Sequence, residues 1–225
     1  ATLHNQDEIN KKDVRVGDTV IVQRAGDVIP EIVKVIIEKR PKGLSRYILP
    51  TDCPSCNQKV KKEDSEAVLR CFNYDCPKQI KGRIIHFASK NALDIDGLGE
   101  KIVNQLVDKD MVQTVDDIFK LKLDDIASLD RMAEKSATNL INSINNSKRT
   151  TFARFVYALG IRNVGYHLSK VFQETFQNDI QKFISADYDS LESIDEVGPI
   201  VAETIREFWG KNENVNIVLS CFRNG

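Results

Sequence analysis

The chain has 225 residues, of which 41% are hydrophobic and 29% are charged, and its formal net charge is -1 at pH 7. This composition is typical of a globular protein with one large domain or two to three small ones. The longest apolar run, residues 33–37, is interrupted by Lys34, whereas a membrane-spanning helix needs roughly 20 consecutive apolar residues, so we expect a soluble protein with no membrane partner. The near-neutral charge neither favours nor excludes nucleic acid, because the distribution of charge over the surface decides that.

Two runs of β-branched residues near the start of the chain predict paired strands. Residues 19–24 and 28–36 are rich in valine and isoleucine, and the turn residues 25–27 separate them. Pro30 cannot donate a hydrogen bond to a strand ladder, which places it at a sheet edge or a bulge and favours a small, bent barrel. Because so short a segment is small for an independent domain, we expect this barrel either to be incomplete or to be stabilised by its neighbour.

Four cysteines form two pairs with a spacing that suits a metal site. Two residues separate Cys53 from Cys56, and four separate Cys71 from Cys76. Four thiolates can hold a tetrahedral zinc ion, and such a site leaves no position for water or substrate, so we expect a structural zinc. Residues 53–82 contain few apolar side chains, and the metal is therefore expected to supply much of their folding energy. Disulfides or free thiols remain the alternative, although no apolar leader indicates an oxidising compartment.

No catalytic residue is predicted from the remaining cysteine and the histidines. Cys221 has no other cysteine nearby in the sequence, and we expect a small core residue rather than a reactive thiol. His86 lies inside an apolar helical run and is expected to pack or to form a hydrogen bond rather than to bind metal. No serine or cysteine nucleophile with a nearby base is indicated by the spacing.

From Arg83 onward the pattern becomes helical, and a five-residue motif recurs four times. The copies occupy residues 95–99, 129–133, 161–165 and 194–198, and they end at intervals of 34, 32 and 33 residues. Tetratricopeptide and ankyrin arrays have similar periods, but neither signature is present. A large apolar residue follows the end of each copy by seven positions: Leu106, Leu140, Phe172 and Ile205. We interpret this region as a helix-hairpin-helix domain with four hairpins.

The glycines of these hairpins predict phosphate sites. A turn without Cβ atoms allows close backbone approach, and the following helix adds its positive N-terminus, so phosphates can be bound without reading bases. The residues assigned to these sites are Gly97, Gly99, Gly165 and Gly198. The alternative is that the glycines only cap helices in a compact bundle. In the second copy Arg131 and Ala133 replace the glycines, and we expect that hairpin to be structural only.

The chain also resembles a known family. Residues 70–79, with the second cysteine pair, and residues 83–99, with the first hairpin, closely resemble the zinc finger and first hairpin of bacterial NAD-dependent DNA ligases. Residues 1–5, 16–18 and 24–30 are similar to the OB barrel of the same enzymes. The resemblance covers essentially the whole chain and implies a multidomain α+β fold. Its expected domains are an OB-type β-barrel at 1–52, a four-cysteine zinc finger at 53–82 and an all-α helix-hairpin-helix domain at 83–225.

The resemblance implies a clamp around nicked double-stranded DNA. It assigns DNA contacts to Arg24 and to the turn that contains Gly26, and it allows Lys101 and Arg162 to assist the hairpins. The alternative for these two cations is a solvated surface charge, which contributes little. The resemblance further implies a monomeric, cytoplasmic bacterial protein that acts at the nucleoid in DNA replication and repair.

The family begins its reaction with a lysine in a Lys-x-Asp-Gly motif, which attacks NAD. The only Asp-Gly pair here is Asp96-Gly97, and Asp94 stands where the lysine would be. The resemblance therefore implies a C-terminal fragment that binds DNA but does not ligate alone, while NAD and magnesium bind to an absent N-terminal part. Two alternatives stay open: a non-enzymatic helix-hairpin-helix module of a repair or recombination protein, and a zinc-stabilised scaffold that binds other proteins.

Overall fold

The structure is a computed structural model that describes residues 1–25, 29–62 and 67–224. The chain divides into two compact units, Ala1–Cys76 and Pro77–Gly225. In the described residues all strands belong to the first unit and the second unit is helical, which agrees with the expected α+β class. Gly26, assigned to DNA contact from the sequence, lies outside the described residues.

The first unit contains one helix and one antiparallel hairpin ahead of the cysteines. Helix α1 spans Gln6–Lys12, strand β1 spans Val20–Ala25, strand β2 spans Ile29–Val35, and a 3₁₀ turn spans Ile37–Lys39. The two strands pair with each other alone among the described residues, so this segment does not close a barrel by itself. Each strand therefore has an edge, and Pro30 lies on β2 opposite Arg24, as its missing N–H predicts.

A charge network fixes the loops of this unit, whose apolar core is small. The buried core consists of Ile9, Val14, Ile32 and Val35. Beside it, Arg40 contacts the carboxylates of Asp13 at 2.6 Å and Asp18 at 2.7 Å. The hydrogen bonds from the Arg40 guanidinium lower the pKa of both carboxyl groups. Removing Arg40 would leave the buried Asp18 charge without its main partner, which is costly in a protein interior.

The cysteine region adds only minimal regular structure. Strand β3 spans Lys61–Lys62 and pairs antiparallel with strand β4, Leu69–Arg70. Neither hydrophobic cluster of the protein includes a described residue between positions 50 and 79. Side-chain packing therefore contributes little to this region, as its composition predicts.

The second unit contains ten α-helices in its described residues. They are α2 (Pro77–Ala88), α3 (Glu100–Asp108), α4 (Leu123–Ala127), α5 (Glu134–Ser147), α6 (Phe152–Ala158), α7 (Tyr166–Thr175), α8 (Ile180–Ser185), α9 (Tyr188–Glu192), α10 (Pro199–Trp209) and α11 (Asn212–Arg223). A 3₁₀ helix, Val115–Lys120, lies between α3 and α4. None of the described helices combines the length and apolar character that crossing a membrane requires.

One hydrophobic core joins the four repeats. The apolar residues that follow each motif by seven positions are at most 1% exposed, which confirms their predicted place in the core. They lie on α3, α5, α7 and α10, the helices that begin directly after the four motifs. Because the buried residue is the seventh after the motif in every copy, each helix packs the same turn against the core. Each hairpin therefore has the same position relative to its own helix. His86 and Cys221 also match expectation: His86 Nε2 lies 2.8 Å from the Tyr157 carbonyl, and Cys221 is buried in this core.

Candidate zinc centre and nucleic-acid interface

The structure brings the two cysteine pairs together. The Sγ atoms of Cys53 and Cys76 are 3.9 Å apart, those of Cys56 and Cys71 are 3.6 Å apart, and all four lie within 4.8 Å of one another. Four sulfurs about 2.3 Å from one zinc ion in tetrahedral geometry are about 3.8 Å from each other. A disulfide would need a separation of about 2.0 Å. The cluster therefore fits a closed four-thiolate cage and does not fit disulfides.

Backbone amides donate hydrogen bonds to two of the four sulfurs. Hydrogen bonds from the N–H groups of Ser55 and Cys56 lower the pKa of Cys53. The N–H of Asn73 lowers the pKa of Cys71, but burial and the other three sulfurs outweigh it and raise that pKa to about 12. Four neighbouring thiols cannot all lose their protons unless a positive ion compensates the charge. The donor set thus requires a metal to reach its charged form.

Tight turns present each cysteine pair. The Asn57 N–H donates to the carbonyl of Cys53 at 2.9 Å, and Asn57 has a left-handed backbone with φ 57. In the second pair the Asn73 side chain accepts from the N–H of Asp75 at 3.1 Å, and the Asn73 carbonyl accepts from the N–H of Cys76 at 3.2 Å. The four residues between Cys71 and Cys76 therefore form a compact turn, so the wider spacing still brings the sulfurs together.

The fifth cysteine does not belong to the cage. In the part of the chain that the structure describes, only Cys53, Cys56, Cys71 and Cys76 form such a cluster. Cys221 lies on α11 in the second unit, and burial raises the pKa of its thiol to about 12. A thiol so protonated at neutral pH is a poor nucleophile and a poor metal ligand.

The four hairpins share one backbone conformation. In each motif the fourth residue donates its N–H to the carbonyl of the first at 3.0 to 3.2 Å. The third residue has a positive φ in every copy: Gly97 at 86, Arg131 at 62, Asn163 at 63 and Glu196 at 67. The second hairpin therefore keeps the turn geometry of the others although it lacks their glycines. Only its side chains set it apart.

The last residue of each motif is the N-cap of the following helix. It is a glycine in three of the four copies, and the fold of the chain does not require glycine at these three positions. Gly99, Gly165 and Gly198 have φ between -86 and -82, a region open to any residue. A Cβ built on any of the three would meet no atom of the described chain within 4 Å. Ala133 occupies the same place in the second hairpin with φ -77. Neither strain nor internal crowding explains the three glycines, whereas close approach of an outside group does.

The helices that follow the hairpins also leave their N-terminal amides uncapped. None of the four N-cap residues makes a side-chain hydrogen bond to its helix. By contrast, Thr151, Asp179 and Asp187 cap α6, α8 and α9 with their side chains. Helix α11, which begins after Lys211, is also without a side-chain cap. The first N–H groups of a helix lack partners within it, so uncapped ends are available to an anion.

Basic residues lie at three of these uncapped ends, and at the second hairpin they are Arg131 and Lys135. Lys101 is exposed in the first turn of α3, and Arg162 is exposed in the third hairpin. Arg24 is exposed on β1 in the first unit. Lys101 and Arg162 therefore lie within or directly after a hairpin turn, and their part in DNA binding stays a prediction. The structure also contains hydrogen bonds that the sequence spacing did not predict. For example, the backbone N–H of Asp130 donates to the side-chain oxygen of Gln105 at 2.7 Å.

Four family models match parts of this chain. The family model described as NAD-dependent DNA ligase OB-fold domain matches residues 1–44, and the one described as NAD-dependent DNA ligase C4 zinc finger domain matches residues 52–77. A SAM-like helix-hairpin-helix tandem matches residues 89–146, and a helix-hairpin-helix motif matches residues 154–218.

A relative matches over the full length of this chain. A DNA ligase of Desulfosudis oleivorans (strain DSM 6200 / JCM 39069 / Hxd3) is 48% identical over all 225 residues, which cover 33% of that relative. The chain thus spans about a third of the length of the relative it matches. Residues 1–44 and 52–77 of this chain therefore match the OB-fold and C4 zinc finger domains of NAD-dependent DNA ligases, and two helix-hairpin-helix matches follow them.

Proposed function

We propose that the chain is the DNA-binding clamp portion of a bacterial NAD-dependent DNA ligase that seals nicks in duplex DNA. The observation that carries this proposal is the set of uncapped hairpin helices whose N-cap glycines have no internal reason to be glycine. The order of OB-fold, C4 zinc finger and hairpin regions supports a ligase over a non-enzymatic repair module or a protein-binding scaffold.

Three hairpins are proposed to bind phosphates through their amides. In the first, third and fourth hairpins an oxygen can reach the helix N-terminus past Gly99, Gly165 or Gly198 without meeting a side chain at the N-cap. Ala133 adds a methyl group at that place in the second hairpin, which we propose to be structural. Because amides hold phosphates and do not read bases, binding should be nearly independent of sequence.

Charged side chains are proposed to add to this grip. Lys101 and Arg162 belong to the first turn after the first hairpin and to the third hairpin, and Arg24 lies on β1, two residues before Gly26 in the sequence. Each cation that neutralises a phosphate releases counterions, so binding should weaken as salt increases. The three cations thus provide the salt-dependent part of the affinity.

The four cysteines are proposed to hold a structural zinc ion. When bound, the ion supplies the cross-link that replaces an apolar core in residues 52–76. The chain's own contribution is to hold four sulfurs at tetrahedral separation and to aim the amides of Ser55, Cys56 and Asn73 at them. With all four positions filled by sulfur, the site has no place for substrate.

Nucleotide chemistry is proposed to reside in the part of the ligase that this chain does not cover. The chain has no Lys-x-Asp-Gly motif, so we expect that it does not seal the nicked DNA that it binds. NAD and magnesium are then expected to bind elsewhere in the enzyme. We further propose that the enzyme acts as a monomer on the chromosome in the bacterial cytoplasm.

A binding titration tests the proposal. The zinc-loaded 225-residue chain is titrated with fluorescent nicked duplex at several salt concentrations, with an intact duplex of the same sequence beside it. We expect binding that weakens as salt increases, similar affinity for unrelated sequences, and no ligation when NAD and magnesium are added. A folded, zinc-loaded chain with no affinity for duplex DNA, or with affinity insensitive to salt, would contradict the proposal.

A further inference from the structure

The third and fourth hairpins are linked to each other by polar contacts. His167, in the first turn of α7, lies 2.8 Å from a carboxylate oxygen of Glu196 in the fourth hairpin. In the opposite direction Asn163 of the third hairpin reaches the hydroxyl of Thr204 on α10 at 3.5 Å. Each hairpin thus contacts the helix that follows the other hairpin. The two uncapped helix ends are therefore held side by side.

Large apolar side chains are exposed at both of these helix ends. Tyr166, the first residue of α7, is 39% exposed, and Ile200, the second residue of α10, is 69% exposed. The matching positions after the first two hairpins carry charged residues: Glu100 and Lys101, and Glu134 and Lys135. The apolar character is thus confined to the pair of hairpins that are linked to each other.

Tyr166 is held in place rather than loosely exposed. Its ring packs edge-on against Tyr157 with the ring centres 5.8 Å apart and the planes at 85°. The Lys170 ammonium lies 5.0 Å from the centre of the same ring. Tyr157 is itself fixed by the edge-on ring of His86 at 4.8 Å. The aromatic surface is therefore preformed, which lowers the entropy cost of using it in binding.

Ile200 is placed toward the third hairpin. Thr204 lies one helical turn after Ile200, on the same face of α10, and donates to the Ile200 carbonyl at 2.7 Å. The same Thr204 hydroxyl contacts Asn163 in the third hairpin. Ile200 therefore lies at the end of α10 on the side that faces the neighbouring hairpin. His167 holds the corresponding position on α7, two residues after its N-cap glycine.

We propose that Tyr166 and Ile200 form an apolar ridge that packs against deoxyribose rings of duplex DNA between the phosphates held by the third and fourth hairpins. This inference rests on the proposed function, and it adds that these two residues contact the sugars of the DNA. Successive phosphates of a strand are separated by sugars, whose C–H groups are the apolar surface nearest to an amide-bound phosphate. Sugars are the same at every base, so the contact keeps binding independent of sequence.

The test compares Ile200→Ser and Tyr166→Ser with two matched controls in the same unit. Tyr188→Ser removes a ring that is 37% exposed, close to the 39% of Tyr166, at the first residue of α9, and Leu123→Ser removes a large apolar side chain that is 38% exposed at the first residue of α4. Affinity for nicked duplex is measured for the zinc-loaded chain by fluorescence anisotropy at several salt concentrations, and melting temperatures confirm that each variant folds.

We expect each ridge variant to bind about three- to tenfold more weakly, as loss of one apolar contact predicts. The slope of log affinity against log salt should stay unchanged, because no phosphate charge contact is lost, whereas Arg162→Ala should reduce it by about one. Tyr166→Phe should bind like the unchanged chain, since it keeps the ring. The two control variants should also keep full affinity.

Two results would overturn this inference while leaving the proposed function intact. One is unchanged affinity of Ile200→Ser and Tyr166→Ser at every salt concentration. The other is a salt slope that falls in these variants as it does in Arg162→Ala. If the unchanged chain does not bind DNA at all, the proposed function fails and the inference fails with it.

Discussion

Glycine serves two separate purposes in the hairpins. Gly97 has φ 86, a left-handed backbone that other residues adopt at some cost, and Arg131, Asn163 and Glu196 meet the same demand in the other copies. The N-cap glycines have ordinary φ values and open space around them. Only the second group therefore indicates contact with a partner.

Replacing the N-cap glycines tests that distinction at single residues. Gly165→Val and Gly198→Val place branched side chains at the helix ends, and we expect each to weaken DNA binding about tenfold by blocking a phosphate. Valine adopts an extended backbone without strain, so the free energy of unfolding should change by about 1 kcal/mol or less. Fluorescence anisotropy and thermal melting provide the two measurements.

The second hairpin supplies the matched control. Ala133→Val adds bulk at the equivalent N-cap, where we expect no phosphate, and DNA affinity should not change. If Ala133→Val weakened binding as much as Gly165→Val, the second hairpin would be a phosphate site and its structural assignment would be wrong.

Single cysteine substitutions test the metal cage. Cys56→Ser should lower zinc content well below one ion per chain because it removes a thiolate from the cage, whereas Cys221→Ser should retain one ion. Zinc is measured by elemental analysis of the purified chain. A full zinc content in Cys56→Ser, or its loss in Cys221→Ser, would be incompatible with the site described above.

At the scale of elements, a buried carboxylate attaches the last helix to the rest of the second unit. Asp116, only 4% exposed in the 3₁₀ helix, accepts hydrogen bonds from Lys120 at 2.7 Å and from Ser220 of α11 at 2.6 Å. Burial raises the pKa of Asp116, but the hydrogen bonds from Lys120, Ser220 and Thr114 outweigh it and hold the pKa below its usual value. The charged form is therefore the one that stabilises the fold.

We expect Asp116→Ala to reduce the free energy of unfolding by about 2 kcal/mol at pH 7, since it leaves hydrogen-bond donors without their charged acceptor. A carboxyl with a depressed folded pKa contributes fully above its unfolded pKa of about 3.9, and the contribution is lost as pH falls through the folded pKa. The difference between the variant and the unchanged chain should therefore shrink in acid. Urea unfolding at pH 7 and below pH 4 measures both effects.

The exposed Asp124 is a suitable control for that experiment. Asp124→Ala should change stability by about 0.5 kcal/mol or less at either pH. An Asp116→Ala variant as stable as this control at pH 7 would show that the carboxylate does not anchor α11.

Zinc removal tests the elements around the cage. Because the described residues between positions 52 and 76 lie outside both hydrophobic clusters, chelation should make the amides of this region exchange hydrogen faster. The helices of Pro77–Gly225 have their own core and should keep both their circular dichroism and their protected amides. Protection of residues 52–76 that survives chelation would mean that the metal is not what holds them.

At the scale of the whole molecule, the sequence predicted features that repeat or lie close together in the chain. The spacing of Cys53, Cys56, Cys71 and Cys76 was sufficient to suggest one cage, and a shared offset predicted buried Leu106 and Phe172. These predictions succeed because each depends on local spacing or on a repeated pattern.

Features that depend on packing between distant segments could not be predicted in this way. Ser220 meets Asp116 across 104 residues, and His167 meets Glu196 because two hairpins pack together. Strands β3 and β4 have only two residues each, too few to give a periodic pattern. The repeat predicted the second hairpin, but not the positive φ that Arg131 shares with Gly97, because the two side chains differ.

The amide signals of the hairpins can be followed directly while the chain binds DNA. In nitrogen-edited magnetic resonance spectra of the zinc-loaded chain, addition of nicked duplex should shift the amide signals of the first turns after Gly99, Gly165 and Gly198. The signals after Ala133 should stay in place. DNA that binds the chain while leaving the amide signals of all three glycine hairpins unshifted would show that these helix N-termini do not hold phosphates.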